Sequence, residues 1–298
     1  MEYILHLLII ITIYVMLAQS LSLTAGYAGM ISLAHAGFFG IGAYTAAILS
    51  LNYHLPFILT LFAGMIICGI IAFIISSIAL RTVDDYFIIC TLGIQVIIFS
   101  ILNNWISLTN GSWGISGIPS VNIFGLDFSN KYLYLILCII ITIIIFYILN
   151  KIIKSNFGRV LIALSEDEIY TQSVGWNIYK SKVIAFTVSA IFAAIPGVLY
   201  AHYTSFIDPT SFTVNESIFI LSIVIIGGKR NLWGIIIAAA FLVLLPEGLR
   251  FIGLPNSTAA NLREIIYGVI LVFIIMSGKN WIKELFEKGN LKIFKTEQ

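Results

Sequence analysis

Apolar runs of about twenty residues, each long enough to cross a bilayer as a helix, alternate along this chain with short polar connections. Ile4 to Leu23 is the first. Phe57 to Leu80, Tyr86 to about Leu108, Tyr132 to Asn150 and Val183 to about Tyr203 follow, the last with a kink predicted at Pro196-Gly197. Shorter apolar runs cover Glu216 to Ile226, Leu232 to about Leu245 and Ile265 to Ser277. With the Gly-rich segment after the first run, the pattern predicts about nine spans, in a range of eight to ten. The expected fold is an all-α polytopic membrane protein, with residues 1–278 in the membrane domain and 279–298 a basic amphipathic tail.

The Gly-rich segment runs from Gly26 to Ser50. Gly26, Gly29, Gly37, Gly40 and Gly42 alternate with Ala and Ser, which lets helix backbones approach closely in lipid. The same glycines permit a broken or re-entrant element where protein or water covers the freed backbone. His35 has two open readings, a group lining a solute path or a neutral imidazole bonded to a nearby carbonyl.

The longest polar interruption, Lys151 to Lys182, lies near the middle. Ser165 is placed to N-cap a helix, and Glu168 three residues on to reach back to the cap. Glu166, Asp167 and Glu168 suit the positive end of the helix dipole, and Gly175 is the expected stop. Ile169, Tyr170 and Val174 share one face of a helix of about ten residues, too short to be stable alone in water. It must pack on something, either this protein's own surface or a partner.

Composition fits the pattern. The chain is 60% hydrophobic and 10% charged, against about 25% charged in a soluble domain, and its mean hydropathy is +1.04. Net charge +2 and the absence of a basic patch interleaved with aromatics give no reason to expect nucleic acid. Cys68, Cys90 and Cys138 each sit inside an apolar run and read as buried thiols rather than a disulfide or metal site. Of the 16 Lys and Arg, only Lys131, Arg250 and Arg263 fall outside if the central loop 151–182 and the tail are cytoplasmic, so the positive-inside rule orients the chain that way.

Several chemistries are missing. Gly227-Gly228-Lys229 is not a phosphate loop, because Ser222 or Ile223 stands where its first Gly belongs and Arg230 where a Ser or Thr is required. His6, His35, His54 and His202 are scattered, so no metal or cofactor is expected. No carboxylate pair sits inside an apolar run, as ion coupling commonly requires. The chain is therefore expected to be no enzyme and to hold no ATP site. Uphill transport would draw its energy from another protein.

Gly26-Tyr-Ala-Gly-Met-Ile-Ser-Leu-Ala-His-Ala-Gly-Phe-Phe-Gly-Ile-Gly-Ala-Tyr44 is very similar to the signature of LivM-type permeases of branched-chain amino acid ABC importers. Phe157 to Glu168, Gly175 with Asn177, Lys182 to Ala190 and Gly197 to Ala201 resemble that family's central segment in order and spacing. Ile226 to Gly234 and Leu245-Pro-Glu247 resemble its third block. Departures are Tyr170-Thr171 in place of two alanines, Lys229-Arg230 in place of a glycine, and Pro196 in place of a small residue.

The resemblance implies a bacterial cell-membrane permease paired with a second related permease. Two cytoplasmic ATP-binding subunits would bind the ATP, and an extracytoplasmic binding protein would deliver the solute. Ser165 to Gly175 would be the coupling helix seated on an ATPase. Ser32, His35, Thr91 and Gln95 are the polar candidates to line the path of a zwitterionic, apolar amino acid. Two alternatives remain open: the same machine carrying urea or a short-chain amide, and a secondary transporter or channel without an ATPase.

Overall fold

Helix α1 (Glu2–Leu21) does not stop where its apolar run ends; it widens into a π-helical turn, Ser22–Tyr27. Ala28 and Met30 close that turn through N–H bonds to the carbonyls of Leu23 and Thr24, at 3.1 and 2.9 Å. The backbone then leaves helical form until α2 (His35–Asn52), so the expected break falls at 28–34. Next come α3 (Phe57–Ala79), α4 (Asp84–Asn104), α5 (Ile106–Thr109), α6 (Lys131–Lys154), α7 (Asn156–Glu166) and α8 (Glu168–Ser173). The order ends with α9 (Ile178–Thr204), α10 (Val214–Gly227) and α11 (Leu232–Arg250). The computed structural model describes residues 2–81, 84–123, 126–250 and 268–269. The expected last span, Ile265 to Ser277, and the basic tail lie outside those residues but for two.

Among the described residues, five helices are long and apolar enough to cross a membrane: α1 with its π turn, α3, α4, α6 and α9. The other apolar helices described are the Gly-rich α2 and the shorter α10 and α11. The fold is not purely helical. The loops 109–131 and 204–214 carry four two-residue strands, β1 (Ile115–Ser116), β2 (Asn122–Ile123), β3 (Leu126–Asp127) and β4 (Phe206–Ile207). β1 pairs antiparallel with β4, Ile115 facing Ile207, and β2 with β3. Two loops leaving the same end of the bundle meet edge to edge and so satisfy backbone groups that no helix can reach.

The chain forms two compact units, Met1–Val243 and Leu244–Gln298. In the first, α9 is the central helix, packed by α1, α2 and α3 and mostly buried, whereas α3, α4 and α6 present long apolar faces outward. Outward apolar faces are what a lipid solvent requires. At the end where α1 begins, Lys131 meets Glu2 at 3.1 Å and His6 meets the Tyr203 hydroxyl at 2.7 Å. The α2–α9 seam brings backbone against backbone at two glycines. A Cβ on Gly42 would stand 2.4 Å from the Ala194 carbonyl oxygen, and one on Gly197 would stand 2.2 Å from that of Phe39. Helix α9 continues through Pro196, the site of the predicted kink, and Pro196 is buried in the bundle.

Candidate functional site

The break between α1 and α2 leaves the first turn of α2 buried; the Ala34 carbonyl accepts from Gly37 and Phe38 at 3.1 and 3.3 Å, but Ala34, the N-cap, has no polar side chain to cap this turn's backbone N–H groups. Neighbouring helices cap them instead. Thr91 Oγ1 accepts from Leu33 at 3.1 Å, Ser217 Oγ from Ala36 at 3.0 Å and Gln95 Oε1 from Gly37 at 2.6 Å. Gln95 Nε2 also donates to the Phe212 carbonyl at 2.7 Å, tying the 3₁₀ turn Pro209–Phe212 to the same point. Ser32 Oγ accepts from Ala34 at 3.3 Å, and His35 Nε2 lies 2.8 Å from Ser20 Oγ. Thus Ser32, His35, Thr91 and Gln95 come together, all buried, and their polar atoms serve the break. His35 meets a hydroxyl, that of Ser20, and also interacts with the Leu17 backbone, the kind of partner the plainer reading expected. Ser217 carried no signal in the sequence.

Glycines set how closely this element packs. Gly29 has φ +74°, which a side chain adopts only with strain. A Cβ on Gly26 would fall 1.6 Å from the Lys229 carbonyl oxygen, inside the turn between α10 and α11. Gly37 and Gly40 face side chains rather than backbone: Ile98 and Gln95 for the first, Phe212 and Leu102 for the second.

The central polar stretch differs from expectation in its register. Instead of one helix from Ser165 to Gly175 there are two, meeting at a corner. Ser155 accepts from the Gly158 N–H at 3.4 Å and starts α7, whose Val160, Leu161 and Leu164 are buried. Those apolar contacts carry α7 on to Glu166, so Ser165 lies inside a helix and its hydroxyl donates back to the Ile162 carbonyl at 2.7 Å. The N-cap of α8 is Asp167, which accepts from Tyr170 N–H at 2.9 Å. Glu168 does not close a capping box; its carboxylate pairs with Lys182 in the first turns of α9. Gly175 has φ +91° and its N–H reaches the Gln172 carbonyl at 2.9 Å, ending the segment where a left-handed residue was expected.

Arg230 ties the corner to the rest of the bundle. Its Nη1 donates to Glu166 Oε1 at 2.8 Å and its Nη2 to Ser165 Oγ at 2.6 Å. Its backbone carbonyl accepts from the Tyr27 hydroxyl at 2.8 Å. Outward of this, α8 leaves its apolar face bare: Ile169 is 81% exposed, Tyr170 65% and Val174 61%. An open groove of about 350 Å³ runs beside it, lined by Asn156, Arg159, Val160, Ala163, Tyr170, Thr171, Val174 and Trp176. The chemistry on offer is positioning and packing. Among the described residues no group of His, Cys, Asp or Glu is placed to hold a metal ion.

A glycine-packed broken helix inside a bundle of apolar helices, tied to a polar corner with an unburied apolar face, marks a multi-pass membrane protein. The chain belongs to the family described as branched-chain amino acid transport system / permease component, whose model matches residues 3–275. It is 34% identical over 262 residues to the high-affinity branched-chain amino acid transport system permease protein LivM of Salmonella typhimurium, a match covering 80% of this chain and 61% of that protein. This chain thus corresponds to 61% of the length of that relative. From Methanocaldococcus jannaschii, the probable branched-chain amino acid transport permease protein LivM is 25% identical over 228 residues, covering 72% and 66% of the two chains. That organism's probable LivH permease is 24% identical over 271 residues, covering 88% and 84%. No solved structure matches the chain.

Proposed function

We propose that this protein is a permease subunit of an ABC importer that carries branched-chain amino acids into the bacterial cytoplasm. It would work beside a second related permease, on two ATP-binding subunits, with solute handed over by an extracytoplasmic binding protein. The family and the LivM and LivH relatives supply the cargo class and the expectation of a permease pair.

The observation that carries the energy source is the bare face of α8. A helix of 6 residues is far below the length that is stable alone in water, yet Ile169, Tyr170 and Val174 project away from the protein. They lie at the end of the bundle that also holds Lys151, Lys154, Arg159, Lys180, Lys182 and Arg230. The positive-inside rule makes that end cytoplasmic, which is where an ATPase would meet it.

The test is purification in mild detergent followed by reconstitution with whatever subunits accompany the permease. ATP-driven uptake of radiolabelled leucine, competed by isoleucine and valine, is the expected result. Uptake of urea or acetamide instead would replace the cargo, and uptake with no ATPase present would replace the mechanism.

A further inference from the structure

Arg230 bonds to both halves of the candidate site, and it does so with two different groups. The guanidinium fork holds the last turn of α7, taking Glu166 with Nη1 at 2.8 Å and Ser165 with Nη2 at 2.6 Å. A planar fork suits two acceptors side by side in a way an ammonium does not. Ser165 is set to accept, because its own proton is already donated to Ile162. The backbone carbonyl of Arg230 holds Tyr27, the last residue of the π turn before the break.

The turn that carries Arg230 is stiff. Gly228 has φ +89°, Asn231 N–H returns to the Gly228 carbonyl at 2.9 Å, and Asn231 Oδ1 caps α11 by accepting from Trp233 and Gly234 at 3.1 Å each. The same turn presses on the break itself, since the Lys229 carbonyl occupies the space a Cβ on Gly26 would need. On the far side of the break, a Cβ on Gly29 would meet Ser165 Cβ at 3.0 Å. The corner, the turn and the break therefore form a closed ring of contacts. Only the Arg230–Glu166 link is an exposed ion pair, and exposed pairs add little to fold stability.

We infer that Arg230 is a positioning residue that clamps the α7–α8 corner to the broken helix, so that a displacement of α8 is delivered to the break between α1 and α2. This rests on the transport reading above, but the clamp can be measured without it. Cysteines replacing the exposed Tyr170 and Trp233 take spin labels, and their distance distribution is recorded in nanodiscs by pulsed electron resonance. Uptake of leucine is measured in parallel on the reconstituted complex.

Arg230→Ala should broaden the distance distribution, and molar salt should broaden that of the parent protein, because an exposed pair is screened. Uptake should fall by at least about fivefold, the lower end of energetic coupling between sites. Arg230→Lys should give an intermediate result. The swap Glu166→Arg with Arg230→Glu should narrow the distribution again and recover uptake over Arg230→Glu alone, which a purely structural role would not produce. An unchanged distribution in Arg230→Ala, or a swap no better than the single reversal, overturns the clamp. A parent complex that takes up no leucine overturns the transport reading, and the distance measurement still decides the clamp.

Discussion

Gln95 and Gly37 are joined by a bond of 2.6 Å from the glycine N–H to the glutamine side-chain oxygen, and the other end of the same amide holds the Phe212 carbonyl at 2.7 Å. One side chain thus ties the first turn of α2, where Gly37 N–H also reaches the Ala34 carbonyl at 3.1 Å, to the 3₁₀ turn Pro209–Phe212. Gln95→Leu keeps the volume but takes the donor from the Phe212 carbonyl and leaves Gly37 N–H with the Ala34 carbonyl alone, a buried group left unmatched costing about 1–3 kcal/mol. The melting temperature of the detergent-solubilised protein should drop well below that of Thr91→Val, which orphans one N–H. Equal melting of Gln95→Leu and the parent would show that the amide is not the cap.

Glycines should sort by what stands opposite them. At Gly42 the obstacle is the backbone of Ala194, 2.4 Å from a new Cβ, and backbone cannot step aside. At Gly37 the nearest atoms are side-chain ends of Ile98 and Gln95, at 2.8 and 2.9 Å. At Gly93 nothing lies within 4 Å. Gly42→Ala should therefore cost most in folded yield and melting temperature, and Gly37→Ala less. Gly93→Ala should be neutral or slightly stabilising, since Ala exceeds Gly in helix propensity by about 1 kcal/mol.

The cap of α8 can be assigned by hydrogen exchange. Asp167→Ala removes the acceptor for Tyr170 N–H and should cost that short helix about 0.5–2 kcal/mol. Exchange at residues 170–174 should accelerate by roughly the same factor. Ser165→Ala should leave those amides alone, because the Ser165 hydroxyl belongs to α7. Faster exchange in α8 with Ser165→Ala would return the cap to Ser165.

Ile169→Asp separates docking from folding. A side chain 81% exposed contributes within about ±0.5 kcal/mol to stability, so the melting temperature should hold. Co-purification of the ATP-binding subunit should fall by tenfold or so, as when a charge is placed in an apolar contact. Gly175→Val should also weaken it, through strain at φ +91°. Full retention of the ATPase by both variants would make α8 a surface connector.

What could be read from the sequence was whatever a local rule governs. Apolar runs placed α1, α3, α4, α6 and α9, and the glycine spacing placed a break after the first helix. Gly175 marked a left-handed stop because only backbone sterics decide it. The corner at Glu166–Asp167 was missed because Ser165 and Asp167 are both good caps, and burial of Val160, Leu161 and Leu164 chose between them. The bonds of Thr91 and Gln95 to Leu33 and Gly37 were not legible for a similar reason: a polar group in an apolar helix gives no hint of which N–H it meets. Arg230 and Glu166 are 64 positions apart, and no spacing rule joins them.

Helix α9, at 27 residues, is a rod about 40 Å long. At one end Lys182 grips Glu168 of α8; at the other the Ser205 carbonyl, one residue past its last turn, holds the N–H groups of Gly117 and Ile118 at 3.0 and 3.3 Å. The two ends of the bundle are thereby anchored to one rod. Pro196, the one residue in α9 with no backbone N–H to contribute, leaves that rod one hydrogen bond short between its two anchored ends.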